Sequence, residues 1–102
     1  MNYPKISVIT VSFNSGETIL ETILSVNNQN LEGIEHIFID GKSTDNTVEL
    51  IEKNSKFKTV VISEKDGGMY YALNKGLDIA KGDIISILNS DDKYSNDSVL
   101  KN

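Results

Sequence analysis

The sequence predicts an α/β protein with an open, mostly parallel sheet and helices on both faces. Three observations carry that prediction. Four short apolar runs are nearly continuous rather than alternating, as strands covered on both faces are. Segments of helical period separate them, which is the βαβ order of parallel crossovers. The chain has 102 residues, 38% hydrophobic and 25% charged, a length and balance that fit one globular domain.

The elements follow in order. Ile6 to Val11 is β-branched and reads as the first strand. Asn14 and Ser15 can cap the helix behind it, whose apolar stripe is Ile19, Leu20, Ile23 and Leu24. Asn27 to Asn30 ends that helix. Glu35 to Ile39 is the second strand, and Asp40 to Asn46 is the turn after it. Asn46 with Glu49 forms a capping box for a second helix that turns Val48 and Ile51 inward. Thr59 to Ser63 is the third strand. Met69 to Ala80 is the third helix, with Met69, Leu73, Leu77 and Ala80 on one face and Tyr70 and Tyr71 as packing residues. Gly76 weakens that helix by about 1 kcal/mol relative to Ala, and Gly82 stands where a helix C′ glycine is favoured. Asp83 to Leu88 is the fourth strand.

Composition removes several classes. Without Cys there is no disulfide framework or thiolate metal site. The one His, His36, rules out a multi-histidine site. The net charge of -5 argues against nucleic acid, whose phosphates need a basic face. All ten basic residues are Lys, so a bound phosphate meets Lys, backbone N–H groups or a metal rather than a guanidinium fork. No apolar run approaches the ~20 residues of a membrane span, and the N-terminus lacks an apolar signal core. A cytoplasmic location is expected, with the full-length protein at the inner face of the membrane.

In an open parallel sheet, ligands bind beyond the carboxyl ends of the strands. Those exits carry Ser12-Phe13-Asn14, then Asp40, then Ser63-Glu64-Lys65-Asp66, then Asn89-Ser90-Asp91-Asp92. Three of the four place carboxylates on one edge. Read alone, Asp91-Asp92 is a solvated turn; read with Asp40 and Asp66, it is a site for a hard divalent cation, Mg²⁺ or Mn²⁺. A receiver domain or a haloacid-dehalogenase-type phosphatase needs its acid after the first strand, where Ser12-Phe13-Asn14 stands. Gly41-Lys42-Ser43 lacks the upstream glycine of a P-loop, and no G-x-G-x-x-G opens a helix.

The residues at these exits resemble family-two, GT-A-fold glycosyltransferases. The resemblance runs through Val8 to Asn14, Ile39 to Thr47, Ser63 to Gly76, and Leu88 to Asp92, the last being that family's DXD-type metal block. It implies a Rossmann-like nucleotide-binding half and a nucleotide-sugar donor, with Phe13 near the nucleobase and Asp40 accepting from the base. It further implies Asp91 on the ribose side, Asp92 on the divalent metal, and Asp66, Asn74 and Lys75 in the third block near the phosphates or the sugar. Tyr71 departs from the Tyr-Asp-Ala that the family commonly carries.

The function expected is transfer of a sugar, from a UDP-sugar, to an acceptor hydroxyl with inversion, in polysaccharide or cell-surface glycan synthesis. The acceptor would be a glycan or a lipid-linked glycan. Residues 1–102 are expected to form the N-terminal donor-binding part of a longer domain, with the general base beyond Asn102 and self-association through exposed apolar surface. The alternative is a non-catalytic α/β nucleotide-binding module or an inactive fragment.

Overall fold

The computed structural model describes residues 5–29, 32–65 and 68–90. The elements are β1 (Ile6–Ser12), α1 (Ile19–Asn27), β2 (Ile34–Asp40), α2 (Thr47–Asn54), β3 (Lys58–Ser63), α3 (Met69–Ile79) and β4 (Ile84–Ile87). Each lies within a residue or two of its sequence expectation, apart from α1, which begins later. The sheet order is β3-β2-β1-β4 and every pairing is parallel.

β2 is buried along its whole length and β1 nearly so, which explains why their apolar residues stand at odd and even positions alike. Odd-numbered residues face one way. Ile9, Ile37 and Ile39 pack with Ala72, Leu73 and Ile79 of α3. Even-numbered residues face α1 and α2, where Phe38 packs with Ile19, Ile23 and Ile51. Helices therefore cover both faces, as predicted. β4 is an edge strand, with Ile84, Ile85 and Ile87 exposed.

Several local expectations fail for identifiable reasons. The buried stripe of α1 is Ile19, Thr22, Ile23 and Val26, while Leu20 and Leu24 are exposed. The hydroxyl of Thr22 donates to the carbonyl of Ser90, so a polar side chain faces inward there. Asn14 caps nothing; it sits at φ 47° and its side-chain oxygen accepts from the Thr44 N–H. The Asn46 capping box does not form: the Asn46 side chain makes no cap bond, and the first helical N–H, that of Thr47, is taken by Asp45 at 3.0 Å. On α3, Leu77 is exposed and Gly76 is buried instead. A Cβ on Gly76 would lie 2.7 Å from Cγ2 of Ile9, so the glycine permits close helix–sheet contact. Tyr70 and Tyr71 are exposed rather than packed. Gly82 is no left-handed cap: a Cβ there would meet the Ser7 N at 2.7 Å. It packs against β1, donating its N–H to Ser7 Oγ, while buried Glu35 accepts from Ser7 Oγ and the Lys81 N–H. His36 is also structural. Its Nε2 pairs with Thr10 Oγ1 at 2.8 Å, its ring stacks on Phe38, and burial pushes its pKa down to about 3.

Candidate functional site

The strand order reverses at β1, which has β2 on one side and β4 on the other. The crevice outside the carboxyl ends of these strands is where an open α/β sheet presents a ligand site. Asp40, the last residue of β2, lies beneath it. Its side chain is fully buried and takes four hydrogen bonds. Oδ1 accepts from Ser12 Oγ at 2.7 Å and Ser43 Oγ at 2.6 Å. Oδ2 accepts from the Ser43 N–H at 2.7 Å and Ser63 Oγ at 2.9 Å. Burial pulls its pKa upward, but these bonds outweigh it and hold the carboxyl below the usual carboxylate range. One carboxylate thus ties together the ends of β1, β2 and β3.

The loop after β1 is fastened to the loop after β2. The Asn14 N–H donates to Ser43 Oγ, the Ser15 N–H to Thr47 Oγ1, and the Gly16 N–H to Asp45. On the other side, three hydroxyls hold the exit of β4. Ser15 Oγ bonds Ser90 Oγ at 2.8 Å, while Thr18 and Thr22 donate to the Ser90 carbonyl at 2.9 and 3.1 Å. Both lone pairs of that carbonyl are therefore engaged.

Two cavities meet at this edge. One of about 630 Å³ is walled by Ser12, Phe13, Gly41, Lys42, Lys65 and Ser90. A neighbour of about 560 Å³ is lined by Asn14, Glu17, Thr18, Asp45 and Ser90, among others. Phe13 is 61% exposed and stands in the wall of the larger cavity. Gly41 lies against it; a Cβ there would approach Phe13 Cδ1 to 3.4 Å.

Of the predicted site residues, Phe13 and Asp40 come together at this edge, one in the wall and one beneath it. Asn74 is exposed on α3, and neither it nor Lys75 lines either cavity. Lys75 pairs with Glu64, and its ammonium sits 5.0 Å from the Tyr71 ring centre. Asp66, Asp91 and Asp92 lie outside the described residues. Among the described residues no three acidic or His side chains gather as a metal site. Sequence reasoning missed Ser12, Ser63, Thr18, Thr22, Lys42 and Lys65. The lysines were legible only as the cations nearest the second and third exits.

The comparisons agree with this architecture. The family described as "Glycosyl transferase family 2" matches residues 7–101. An uncharacterised glycosyltransferase of Mycobacterium tuberculosis is 41% identical over 98 residues, covering 95% of this chain and 37% of the relative. The poly(ribitol-phosphate) beta-glucosyltransferase of Bacillus spizizenii is 33% identical over 103 residues, covering 95% of this chain and 16% of the relative. The crystal structure of S. aureus TarS 1-349 in complex with UDP-GlcNAc superposes with TM-score 0.89 at 31% identity, over 95% of this chain and 29% of that one. The chain thus spans well under half the length of these relatives. The parallel sheet, the cavity at its switch point and a family match over nearly the whole sequence lead to one conclusion: the chain belongs to glycosyl transferase family 2.

Proposed function

We propose that this chain is the donor-binding part of a metal-dependent glycosyltransferase that moves a sugar from a UDP-sugar to an acceptor hydroxyl with inversion. The product would be a polysaccharide or cell-surface glycan, its acceptor a glycan or lipid-linked glycan. The observation that carries the reading is the cavity of about 630 Å³ at the carboxyl edge of β1, with an exposed Phe13 in its wall. A nucleobase needs a flat apolar surface, and Phe13 beside Gly41, which has no side chain, offers one. TarS, the 31% identical neighbour, is itself in complex with UDP-GlcNAc.

Asp40 braces the cavity from behind its lining, through its bond from Ser12 and its chain neighbour Gly41. With both its oxygens engaged by four internal donors, it shapes the base site rather than reaching into it. Asp91 is assigned to the ribose side and Asp92 to a divalent cation. The donor set fits such an ion: two hard-oxygen carboxylates directly follow Ser90, which lines both cavities. When bound, the cation supplies Lewis-acid neutralisation of the leaving nucleoside diphosphate. Ser15, Thr18 and Thr22 fix the residue from which that acidic pair departs.

Calorimetric titration of the folded chain with UDP, with and without Mn²⁺, tests the reading. Binding at or below millimolar UDP, strengthened by Mn²⁺, is expected. Asp92→Ala should remove only the Mn²⁺-dependent part. No UDP binding at millimolar ligand by a sample that is folded by circular dichroism would refute it.

A further inference from the structure

The chain has ten lysines and no arginine, so any anion it binds through side-chain charge must be held by Lys. Lys75 is engaged by Glu64, and Lys53 by Glu49. Lys42 and Lys65 differ. Both line the larger cavity, and among the described residues neither has a carboxylate at ion-pair distance.

Lys42 also sits at φ 63°, a left-handed conformation that favours glycine. Bonds on either side impose it. The Gly41 N–H donates to the Ser12 carbonyl at 2.8 Å, and the Ser43 N–H donates to Asp40 at 2.7 Å. A glycine would occupy this position with less strain. A lysine held at a strained φ in a cavity wall is the kind of local cost that marks a functional position.

We infer that Lys42 and Lys65 grip the diphosphate of the nucleotide donor, in the cavity whose wall also holds the base-stacking face of Phe13. This inference rests on the donor reading above and adds the residues that carry its charge recognition. An aromatic face and two ammonium groups in one cavity match the two halves of a nucleoside diphosphate: a flat base and an anionic tail. Each lysine acts as a point charge rather than a fork, so the grip is electrostatic and sensitive to salt.

Titration of the chain with UDP and with uridine at fixed Mn²⁺, followed by NMR, tests this. Uridine keeps the base and ribose and lacks the phosphates. The Lys42→Gln/Lys65→Gln double variant should lose about tenfold or more in UDP affinity, the range of one or more charge-assisted contacts, with uridine affinity unchanged. Lys42→Arg/Lys65→Arg should restore most of it, and Lys53→Gln on the exposed face of α2 should change nothing. Lys42→Gly should melt at a higher temperature than wild type while binding UDP more weakly. The inference is overturned if the double glutamine variant keeps wild-type UDP affinity, if uridine affinity falls equally, or if Lys53→Gln has the same effect. Wild type that binds neither UDP nor uridine would refute the donor reading itself, and this inference with it.

Discussion

Asp40→Asn separates a structural role for this residue from a ligand-facing one. The amide oxygen of Asn takes the Oδ2 place, where it still accepts from the Ser43 N–H and Ser63 Oγ. Its NH₂ group takes the Oδ1 place and faces Ser12 Oγ and Ser43 Oγ, whose hydroxyls turn to accept. All four contacts can be kept, but each passes from a charged group to a neutral one. Bonds to a charged group contribute about 1.5–3 kcal/mol and neutral ones about 1. Weakening four bonds by about 0.5–1 kcal/mol each costs about 2–4 kcal/mol, a large share of a small domain's stability of about 5–15 kcal/mol. Urea unfolding followed by circular dichroism at pH 7 measures this directly. The pH dependence adds an independent check. The folded-state pKa of Asp40 is depressed, so its contribution is complete above the unfolded value of about 3.9 and is lost as pH falls through the lower folded value. The gap between wild type and variant should therefore narrow only below about pH 4. A variant within about 0.5 kcal/mol of wild type at pH 7 would refute the tying of the three strand ends by Asp40 and return it to a purely ligand-facing role.

Other outcomes follow from the same geometry. His36 is buried in its neutral form, with a folded pKa of about 3. Its contribution is present above about pH 6.5 and should be lost at about 1.4 kcal/mol per unit below it, a slope that His36→Gln should remove in urea titrations at pH 7, 6 and 5. Gly76→Ala gains about 1 kcal/mol of helix propensity but drives a methyl to 2.7 Å from Ile9, and overpacking of about 1–3 kcal/mol should win, giving a lower melting temperature. Thr18→Val/Thr22→Val leaves the Ser90 carbonyl without either hydroxyl donor. It should destabilise by about 1–3 kcal/mol in urea and weaken the Mn²⁺-dependent part of UDP binding in calorimetry.

The sheet was legible because burial on both faces leaves a plain mark. β1 and β2 had to be apolar on odd and even positions alike, and their β-branched runs show it. Helix faces were less legible. Leu20 and Leu24 outweigh Thr22 on any hydrophobic pattern, yet Thr22 turns inward because Ser90 is there to accept its hydroxyl, a contact 68 residues away in sequence. Gly76 reads locally as a weak point in a helix, and only the distance to Ile9 shows why the helix needs it. At the site, the acidic strand exits pointed to the edge of the sheet where the two cavities lie. The serines around Asp40 were invisible, since a hydroxyl carries no periodic signal and its role depends on three strand ends meeting. Lys75 looked like the cation of the third exit, but Glu64 lies within its reach, while Lys65 lines the cavity.

The sharing of one carboxylate by Ser12, Ser43 and Ser63 constrains how this edge can change over generations. While the acid is present, each serine replaced by alanine strips a donor from a buried anion, so every single step is penalised. Once the acid is gone, the same replacements become nearly silent, because hydroxyls that have lost their acceptor gain little by staying. The four positions therefore behave as one inherited unit whose members are hard to exchange singly, and a variant library that samples them independently will recover few survivors.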